Sequence, residues 1–286
     1  MSSNAITIGC DPEYFVVDKE GKPVPSVGLV PGTKDKPHDL GDGLAVHEDC
    51  VVVEITTPPA TSAWQLYDYV ADARDRVYEQ FLKDKELLLM VSAAQTFTSK
   101  QLDSEQAMTF GCEPDFDAYE AGKVRGKPPR ALTTGPVRFA GHHVHIGGKF
   151  NCPPFVVALF ADVEMFLKAI YQGYELPPKN NLLRAEWYGK PGIYREKSYG
   201  IEYRSLPPCF FSNEDAATQM YSNAIDCASL ASNRTADDLR EIVRQMPWTE
   251  IRDFLTNGVY KGTHRDRFNK AEELMVRCNR IKEKVA

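Results

Sequence analysis

The segment Gly141-His142-His143-Val144-His145-Ile146-Gly147-Gly148 holds three of the six histidines of a 286-residue chain. It ends a stretch, residues 105–150, whose composition predicts strands and turns. Side chains two positions apart on a strand share a face, so His143 and His145 are expected to reach one site. A lone histidine is more often a core or surface residue, but this clustering favours function. Neutral imidazoles bind metals or phosphates, and the flanking glycines allow close approach of a ligand.

A second cluster is Tyr199-Gly200-Ile201-Glu202-Tyr203-Arg204, where strand periodicity places Glu202 and Arg204 on one face. A carboxylate beside a guanidinium can bind a metal ion and a phosphate together. Cations upstream extend a set suited to a triphosphate: Arg184, Arg195 and Lys197. The alternative is a surface ion-pair ladder, which contributes little energy.

A third cluster surrounds Glu54, which interrupts a β-branched run over residues 51–56. A charge within an apolar strand is costly unless it is paired or bound to a metal. Glu54 is therefore predicted to be a metal ligand in preference to half of a structural ion pair. The same reasoning applies to Glu13, whereas Glu48 and Glu113 are equally compatible with either role.

Strand patterns fill the first 60 residues, and a helix is predicted over 62–89 behind an N-cap at Thr61 or Ser62. A second helix is expected over 154–171 and a strand or hairpin over 193–207. Residues from 213 onward show only helical periodicity. We therefore expect a core over 1–212 that carries the candidate site residues, and a helical segment over 213–286 packed on it. Five residues that flank the candidate site residues should point into the core: Val53, Ile55, Val144, Ile201 and Tyr203.

A short internal echo relates residues 9–15 to residues 111–117, since Gly-Cys-Asp-Pro-Glu resembles Gly-Cys-Glu-Pro-Asp. The match suggests that two strands enter one site in a similar way. It is too short to establish a structural repeat.

Composition argues against a nucleic-acid-binding, membrane or secreted protein. The chain has 34 Lys and Arg against 40 Asp and Glu, a net charge of -6 that disfavours non-specific binding to nucleic acid. The apolar stretch over 155–160 is far shorter than the roughly 20 residues of a membrane helix, and the N-terminus has no export-signal pattern. Seven cysteines without a C-x-x-C pair predict free thiols in a reducing compartment. We expect a cytoplasmic protein with no membrane contact, in the host cytoplasm if a phage encodes it; the oligomeric state is open.

Five motifs occur in order along residues 7–208: D-P-E-[YF]-F, P-G-T-K, E-D-x-V-x-V-E followed by P-P-A, H-x-H, and Y-R-x-K-x-Y-G-x-E-Y-R. Together they resemble the amidoligases of phages and bacteria, which are carboxylate-amine ligases similar in fold to glutamine synthetase. The resemblance implies an α+β fold, with a curved, mostly antiparallel sheet and helices on one face. Cys50 departs from it, because glycine is expected at this position.

The resemblance also implies a site that holds ATP and two or more Mg²⁺ or Mn²⁺ ions. The matching metal ligands are Glu13, Glu54, His143 and Glu202. His145 is expected near the nucleotide, and three residues near its phosphates: Arg195, Lys197 and Arg204. Arg184 joins the nucleotide-binding set through the run of cations, and the residues expected to act in catalysis are Arg195, Glu202 and Arg204.

Such a ligase transfers the γ-phosphoryl group of ATP to a carboxylate, and an amine then attacks the acyl phosphate. Phosphoryl transfer needs positioned charge and no protein nucleophile, which fits these residues. The carboxylate and amine would be small molecules or peptides, and nucleic acid is not expected except as a modified nucleobase. Two alternatives remain open: a phosphotransferase of the guanidino-kinase type, and a non-catalytic module that binds metal or nucleotide.

Overall fold

The computed structural model describes residues 5–108, 115–125, 135–174, 178–211 and 213–285. Glu113 and the first half of the second echo segment lie outside these ranges. Twelve strands form one sheet, and every strand pairing within the described ranges is antiparallel. The mostly antiparallel sheet expected from the sequence is confirmed.

The strands in chain order are β1 (Thr7–Val17), β2 (Pro23–Val24), β3 (Gly32–Thr33), β4 (Lys36–Gly41), β5 (Leu44–Asp49), β6 (Val52–Thr56), β7 (Leu88–Met90), β8 (Ala94–Thr96), β9 (Asp115–Asp117), β10 (Lys123–Arg125), β11 (Val137–Phe139), β12 (His142–Gly147), β13 (Ile193–Lys197) and β14 (Gly200–Tyr203). The order across the large sheet is β10-β9-β13-β14-β12-β1-β6-β5-β4-β3, with β2 and β7 also paired to β1. A separate ribbon joins β8 and β11.

The helices are α1 (Ala63–Val77), α2 (Glu105–Met108), α3 (Pro154–Ala161), α4 (Lys168–Tyr171), α5 (Pro178–Trp187), α6 (Glu214–Asn233), α7 (Ala236–Gln245), α8 (Trp248–Thr256) and α9 (His264–Lys284). A π-helical stretch, Asp162–Leu167, joins α3 to α4. Helices α1, α3 and α6 pack on one side of the sheet, called here the helix face. The opposite side is called the site face.

The central strand β1 runs unbroken through Pro12. Residues 7–12 pair with β12, and residues 13–15 pair with β6. Pro12 has no N–H to donate, and it lies where the pairing changes from one neighbour to the other. The strand therefore tolerates the proline and carries its side chains into both halves of the sheet.

The first predicted helix begins where expected, because the Ser62 side chain accepts a hydrogen bond from the Gln65 N–H. Its predicted end near residue 89 is wrong. Glu86 adopts a left-handed conformation with φ of 58°, and the chain then forms β7 beside β1. The second helix begins at Pro154 as predicted, and proline is well suited to the first helical position.

The five residues predicted to face the core are all buried in it: Val53, Ile55, Val144, Ile201 and Tyr203. The hydrophobic cluster beneath α3 also contains side chains of α6, α7, α8 and α9. The C-terminal helices therefore share a core with the sheet. Among the described residues, Cys10, Cys152, Cys209, Cys227 and Cys278 are free thiols, as predicted for them. In those ranges we find no helix long and apolar enough to span a bilayer.

Cys50 is the position at which glycine was expected from the sequence resemblance. It occupies the tight turn between β5 and β6 with a φ of 58°, a conformation that glycine adopts at least cost. The turn nevertheless forms. Glu48 does not join the neighbouring acidic side chains, because its carboxylate accepts hydrogen bonds from the Gly28 N–H and from Gln106.

Candidate functional site

Strand register brings the polar side chains of five neighbouring strands onto the site face. Glu13 lies opposite Glu54 across β1 and β6, and Asp11 lies opposite His143 across β1 and β12. Glu202 of β14 lies between His145 of β12 and Arg195 of β13. Because antiparallel neighbours in register point to the same side, residues far apart in sequence converge here.

One half of the site, the acidic centre, consists of Asp11, Glu13, Asp49, Glu54 and His143. Two groups of side chains could each hold a metal ion, because the ligand atoms within each group all lie within 4.8 Å of one another. The first group is Asp11, Glu54 and His143, and the second is Glu13, Asp49 and Glu54. Glu54 belongs to both groups. His143 Nε2 is 3.5 Å from Glu13 Oε1, and its Nδ1 is 4.0 Å from Glu54 Oε1.

Burial dominates the acid-base properties of the acidic centre. It raises the pKa of Glu13 to about 8, with a further contribution from the charge of Glu54. Burial likewise raises the pKa of Glu54. Burial and the nearby Arg204 cation hold the pKa of His143 well below its usual range, so its imidazole is neutral. Crowded buried carboxylates beside a neutral imidazole suit Mg²⁺ or Mn²⁺, because a cation offsets the repulsion that disfavours their ionised forms.

The other half, the cation row, consists of Arg195, Lys197 and Arg204 around Glu202. Lys197 Nζ is 2.7 Å from Glu202 Oε2, Arg195 Nη1 is 3.6 Å from Oε1, and Arg204 donates a short hydrogen bond to Oε1. Burial opposes ionisation of Glu202, but Arg204 and the other nearby positive groups outweigh it and hold its pKa well below its usual range. Glu202 is therefore an ionised carboxylate surrounded by cations.

His143 joins the two halves. Arg204 Nη1 donates to His143 Nδ1 at 3.1 Å, and His143 Nδ1 lies 3.6 Å from Glu202 Oε1. The predicted ligands Glu13, Glu54, His143 and Glu202 thus lie on one face and meet around this imidazole. Gly141 is closely packed here, because a Cβ at this position would lie 3.0 Å from the Tyr188 ring.

The end of the site next to β1 and β12 opens into a cavity of about 310 Å³ lined by Thr7, Gly9, Asp11, Thr56, Thr57, Pro59, His145, Gly147 and Tyr199. His145 Nε2 is 2.7 Å from Asp11 Oδ2, and its Nδ1 contacts the Tyr199 hydroxyl. Burial alone would lower the pKa of His145, but the adjacent Asp11 carboxylate raises it. The cavity wall thus carries an imidazole and an acid directly beside the acidic centre.

Arg184 does not join the cation row, so the geometry does not support its predicted contact with nucleotide. It is buried, and its guanidinium donates to the carbonyl oxygens of Ala140 at 2.8 Å, Ser205 at 3.2 Å and Leu206 at 3.0 Å. These bonds join α5 to the chain on either side of the site strands. Its observed role is structural.

Several site residues were missed by the sequence reasoning: Asp11, His47, Asp49, Asp115 and Tyr188. Asp11 is two positions before Glu13 on the same strand, so strand periodicity alone places it on the site face. Asp115 Oδ1 lies 3.0 Å from Arg195 Nε and 3.2 Å from Arg204 Nε. The internal echo, which aligns Asp115 with Glu13, was the available signal for that residue.

Tyr188 and His47 gave no such signal. The Tyr188 hydroxyl lies 2.8 Å from His143 Nε2 and 2.9 Å from Arg204 Nη2. His47 Nε2 lies 3.5 Å from Glu54 Oε2 across the β5–β6 pair. Their positions follow from tertiary packing and from the hairpin register, which a local pattern does not specify.

No protein-family model and no curated protein sequence matches the chain. Among solved structures the chain is similar to GmaS without ligand, with 9% sequence identity and a TM-score of 0.41, over 99% of this chain and 69% of the GmaS chain. It is also similar to a GmaS/ADP complex, with 9% identity and a TM-score of 0.36, over 96% of this chain and 70% of the other. Similarity at this level carries no argument about activity.

Proposed function

We propose that this protein is an ATP-dependent carboxylate-amine ligase that forms an amide through an acyl phosphate. The observation that carries the proposal is the direct contact of an acidic centre with a cation row on one sheet face. A phosphoryl-transfer site needs both, because metal-binding carboxylates must lie beside positive groups that stabilise the transferring group.

The acidic centre supplies oxygen ligands and one neutral imidazole for Mg²⁺ or Mn²⁺: Asp11, Glu13, Asp49, Glu54 and His143. Divalent ions, when bound, bridge nucleotide phosphates and neutralise their charge. Glu54 is the central candidate, since it belongs to both groups of ligand atoms. Its burial keeps water away, which strengthens its interaction with a cation.

The cation row acts on the phosphoryl group. Arg204 contacts both Glu202 and His143, so its guanidinium lies at the boundary between the two halves. We infer that Arg204 and Arg195 stabilise the transferring phosphoryl, while Lys197 contributes a point charge to the phosphates. Glu202 holds these cations in place and serves as a metal ligand once phosphate oxygens compete for its partners.

The cavity beside His145 is the proposed nucleotide end of the site. His145 and Tyr199 form its polar wall, and Asp11 joins it to the acidic centre. A carboxylate substrate would then approach the phosphate from the side of Arg204 and Tyr188. The amine substrate is the nucleophile that attacks the acyl phosphate and displaces phosphate. No side chain of the protein therefore needs to form a covalent bond with a substrate.

The test is an assay for ADP release with ATP, Mg²⁺ and a panel of carboxylates and amines, coupled to mass spectrometry. The expected result is ADP formation that requires both substrates, together with a product heavier than the carboxylate by the amine minus one water. A phosphorylated acceptor without an amide would instead identify a phosphotransferase. ATP binding without turnover for every pair would contradict the ligase proposal.

A further inference from the structure

A buried carboxylate lies on the opposite side of the sheet from the site. Asp162 begins the π-helical stretch after α3 and has no exposed surface. Its carboxylate accepts hydrogen bonds from the Tyr119 hydroxyl at 2.7 Å, the Gly192 N–H at 3.0 Å and the Tyr203 hydroxyl. Burial raises the pKa of Asp162 to about 7, although the three donors lower it. Such a group is costly to bury, so stability alone does not account for it.

Two of the three donors lie in or next to the strands that carry the cation row. Tyr203 lies between Glu202 and Arg204, and its side chain points to the helix face while theirs point to the site. Gly192 directly precedes β13, which carries Arg195 and Lys197. A single oxygen, Asp162 Oδ1, accepts from both Tyr203 and Gly192. The carboxylate thus fixes β13, β14 and the helix relative to one another.

We propose that Asp162 is a positioning residue: from the helix face of the sheet it fixes the orientation of the Glu202 and Arg204 side chains on the site face. π-helical turns within α-helices are frequent at functional sites, and this one places Asp162 against β14. The effect on turnover rests on the proposed function, because it supposes that Arg204 acts on a phosphoryl group. The effect on strand order does not.

The C-terminal helices support the same residue from behind. The Tyr119 ring, whose hydroxyl donates to Asp162, lies 4.8 Å beneath the guanidinium of Arg252 and 6.4 Å from the Trp248 ring. Both belong to α8. Arg252 Nη2 also donates to Asp117 Oδ2 at 2.9 Å, next to the turn that carries Tyr119. Through these contacts the C-terminal segment would contribute to the geometry of the site without touching a substrate.

The test compares Tyr203→Phe with Tyr14→Phe. Each tyrosine directly follows a site glutamate, is buried and faces the helix side, but Tyr14 Oη makes no hydrogen bond within the described residues. The first readout is amide hydrogen exchange in β14 and β13, with β6 as the internal reference. We expect Tyr203→Phe to speed exchange in β13 and β14 on the order of 10-fold. Tyr14→Phe should leave both strands unchanged.

The second readout is turnover in the ligase assay. A small displacement of a catalytic group costs on the order of 10-fold to 100-fold, so Tyr203→Phe should lower kcat by that factor while the KM for ATP stays within about twofold. If Asp162 acts through Arg204, the double variant Tyr203→Phe with Arg204→Lys should lose little more than Arg204→Lys alone. Independent, additive losses would overturn the positioning role.

Asp162→Asn provides a second variant if Tyr203→Phe fails to fold, and faster exchange in β14 is expected there too. Equal exchange in β14 for Tyr203→Phe and Tyr14→Phe would overturn the proposal whatever the turnover. Faster exchange in β14 in a protein that shows no ligase activity would uphold the positioning of the strand and reject only the proposed function.

Discussion

The acidic centre and the cation row share one sheet face but differ in how their charges are balanced. In the acidic centre, burial raises the pKa values of Glu13 and Glu54, so their ionised forms are disfavoured. In the cation row, Glu202 is equally buried but surrounded by positive side chains, and its pKa is depressed. The first half calls for cations from outside. In the second half the charge of Glu202 is balanced within the protein, and under the proposed function these internal ion pairs would exchange for contacts with phosphate.

The largest expected effect concerns the acidic centre. Glu54→Gln should weaken Mn²⁺ binding by about 100-fold, since it removes the negative charge and one oxygen of a carboxylate shared by both candidate ion positions. Electron paramagnetic resonance of free Mn²⁺ measures this. Glu48→Gln is the matched control, because Glu48 is on the adjacent strand but bonds to Gly28 and Gln106. Equal affinities for the two variants would remove the distinction between the two halves.

In the cation row, a substitution is expected to lower the turnover rate and to leave ATP binding largely unchanged. Arg204→Lys keeps the positive charge but loses the forked guanidinium, so turnover should fall on the order of 100-fold with little change in the KM for ATP. Arg277→Lys, in a half-exposed ion pair with Glu250, is the control. Unaltered turnover for Arg204→Lys would reduce Arg204 to a structural partner of Glu202.

A pH titration of stability sharpens the comparison. The folded protein holds a proton on Glu13 up to about pH 8, against about 4.5 for an ordinary glutamate. The folded state therefore binds more protons than the unfolded state across this window, and the contribution of Glu13 to stability falls as the pH rises through it. Buried neutral histidines act in the opposite direction below about pH 6.5, so the native protein must be compared with a variant.

Without divalent ions, the Tm of Glu13→Gln minus the Tm of the native protein is expected to increase as the pH rises from 5 to 8.5. Mn²⁺ with a non-hydrolysable ATP analogue should remove most of that difference, because a bound cation favours ionised Glu13. Thermal unfolding by circular dichroism checks both. If instead the Tm of the native protein rises relative to that of Glu13→Gln with increasing pH, Glu13 is paired with a positive group within the protein.

The smallest expected effect on the site concerns Arg184, which the geometry separates from the cation row. Arg184→Lys should destabilise the fold by about 2 kcal/mol, since buried carbonyl oxygens lose donors. Binding of the ATP analogue should change less than about twofold in the folded variant. Chemical denaturation and calorimetry measure the two quantities. A large loss of nucleotide affinity at full stability would return Arg184 to the phosphate-binding set.

Much of the sheet could be predicted, because alternation along strands is a local property. The faces of Val53, Ile55, Val144, Ile201 and Tyr203 follow from the period of two, and so does the shared face of Glu202 and Arg204. The helix ending was missed because a left-handed residue at Glu86 and the pairing of β7 with β1 are decided by tertiary contacts.

The composition of the site was only partly predictable for the same reason. Asp11 could have been inferred from its spacing to Glu13, whereas Tyr188 reaches His143 only because α5 packs beside the site. The prediction that Arg184 contacts nucleotide rested on its sequence proximity to other cations, which does not reveal that its guanidinium donates to backbone carbonyl oxygens. Spacing within a strand predicts which residues share a face, but the partner of each buried charge depends on the packed structure.

The central claim, that the acidic centre is completed by divalent ions held jointly with nucleotide phosphates, is tested most directly by calorimetric titration of Mn²⁺. Phosphate oxygens complete the coordination of such ions, so binding should be weak to the protein alone and at least about 10-fold tighter with a non-hydrolysable ATP analogue present. Equal Mn²⁺ affinity with and without the analogue, or no binding in either case, would contradict the account.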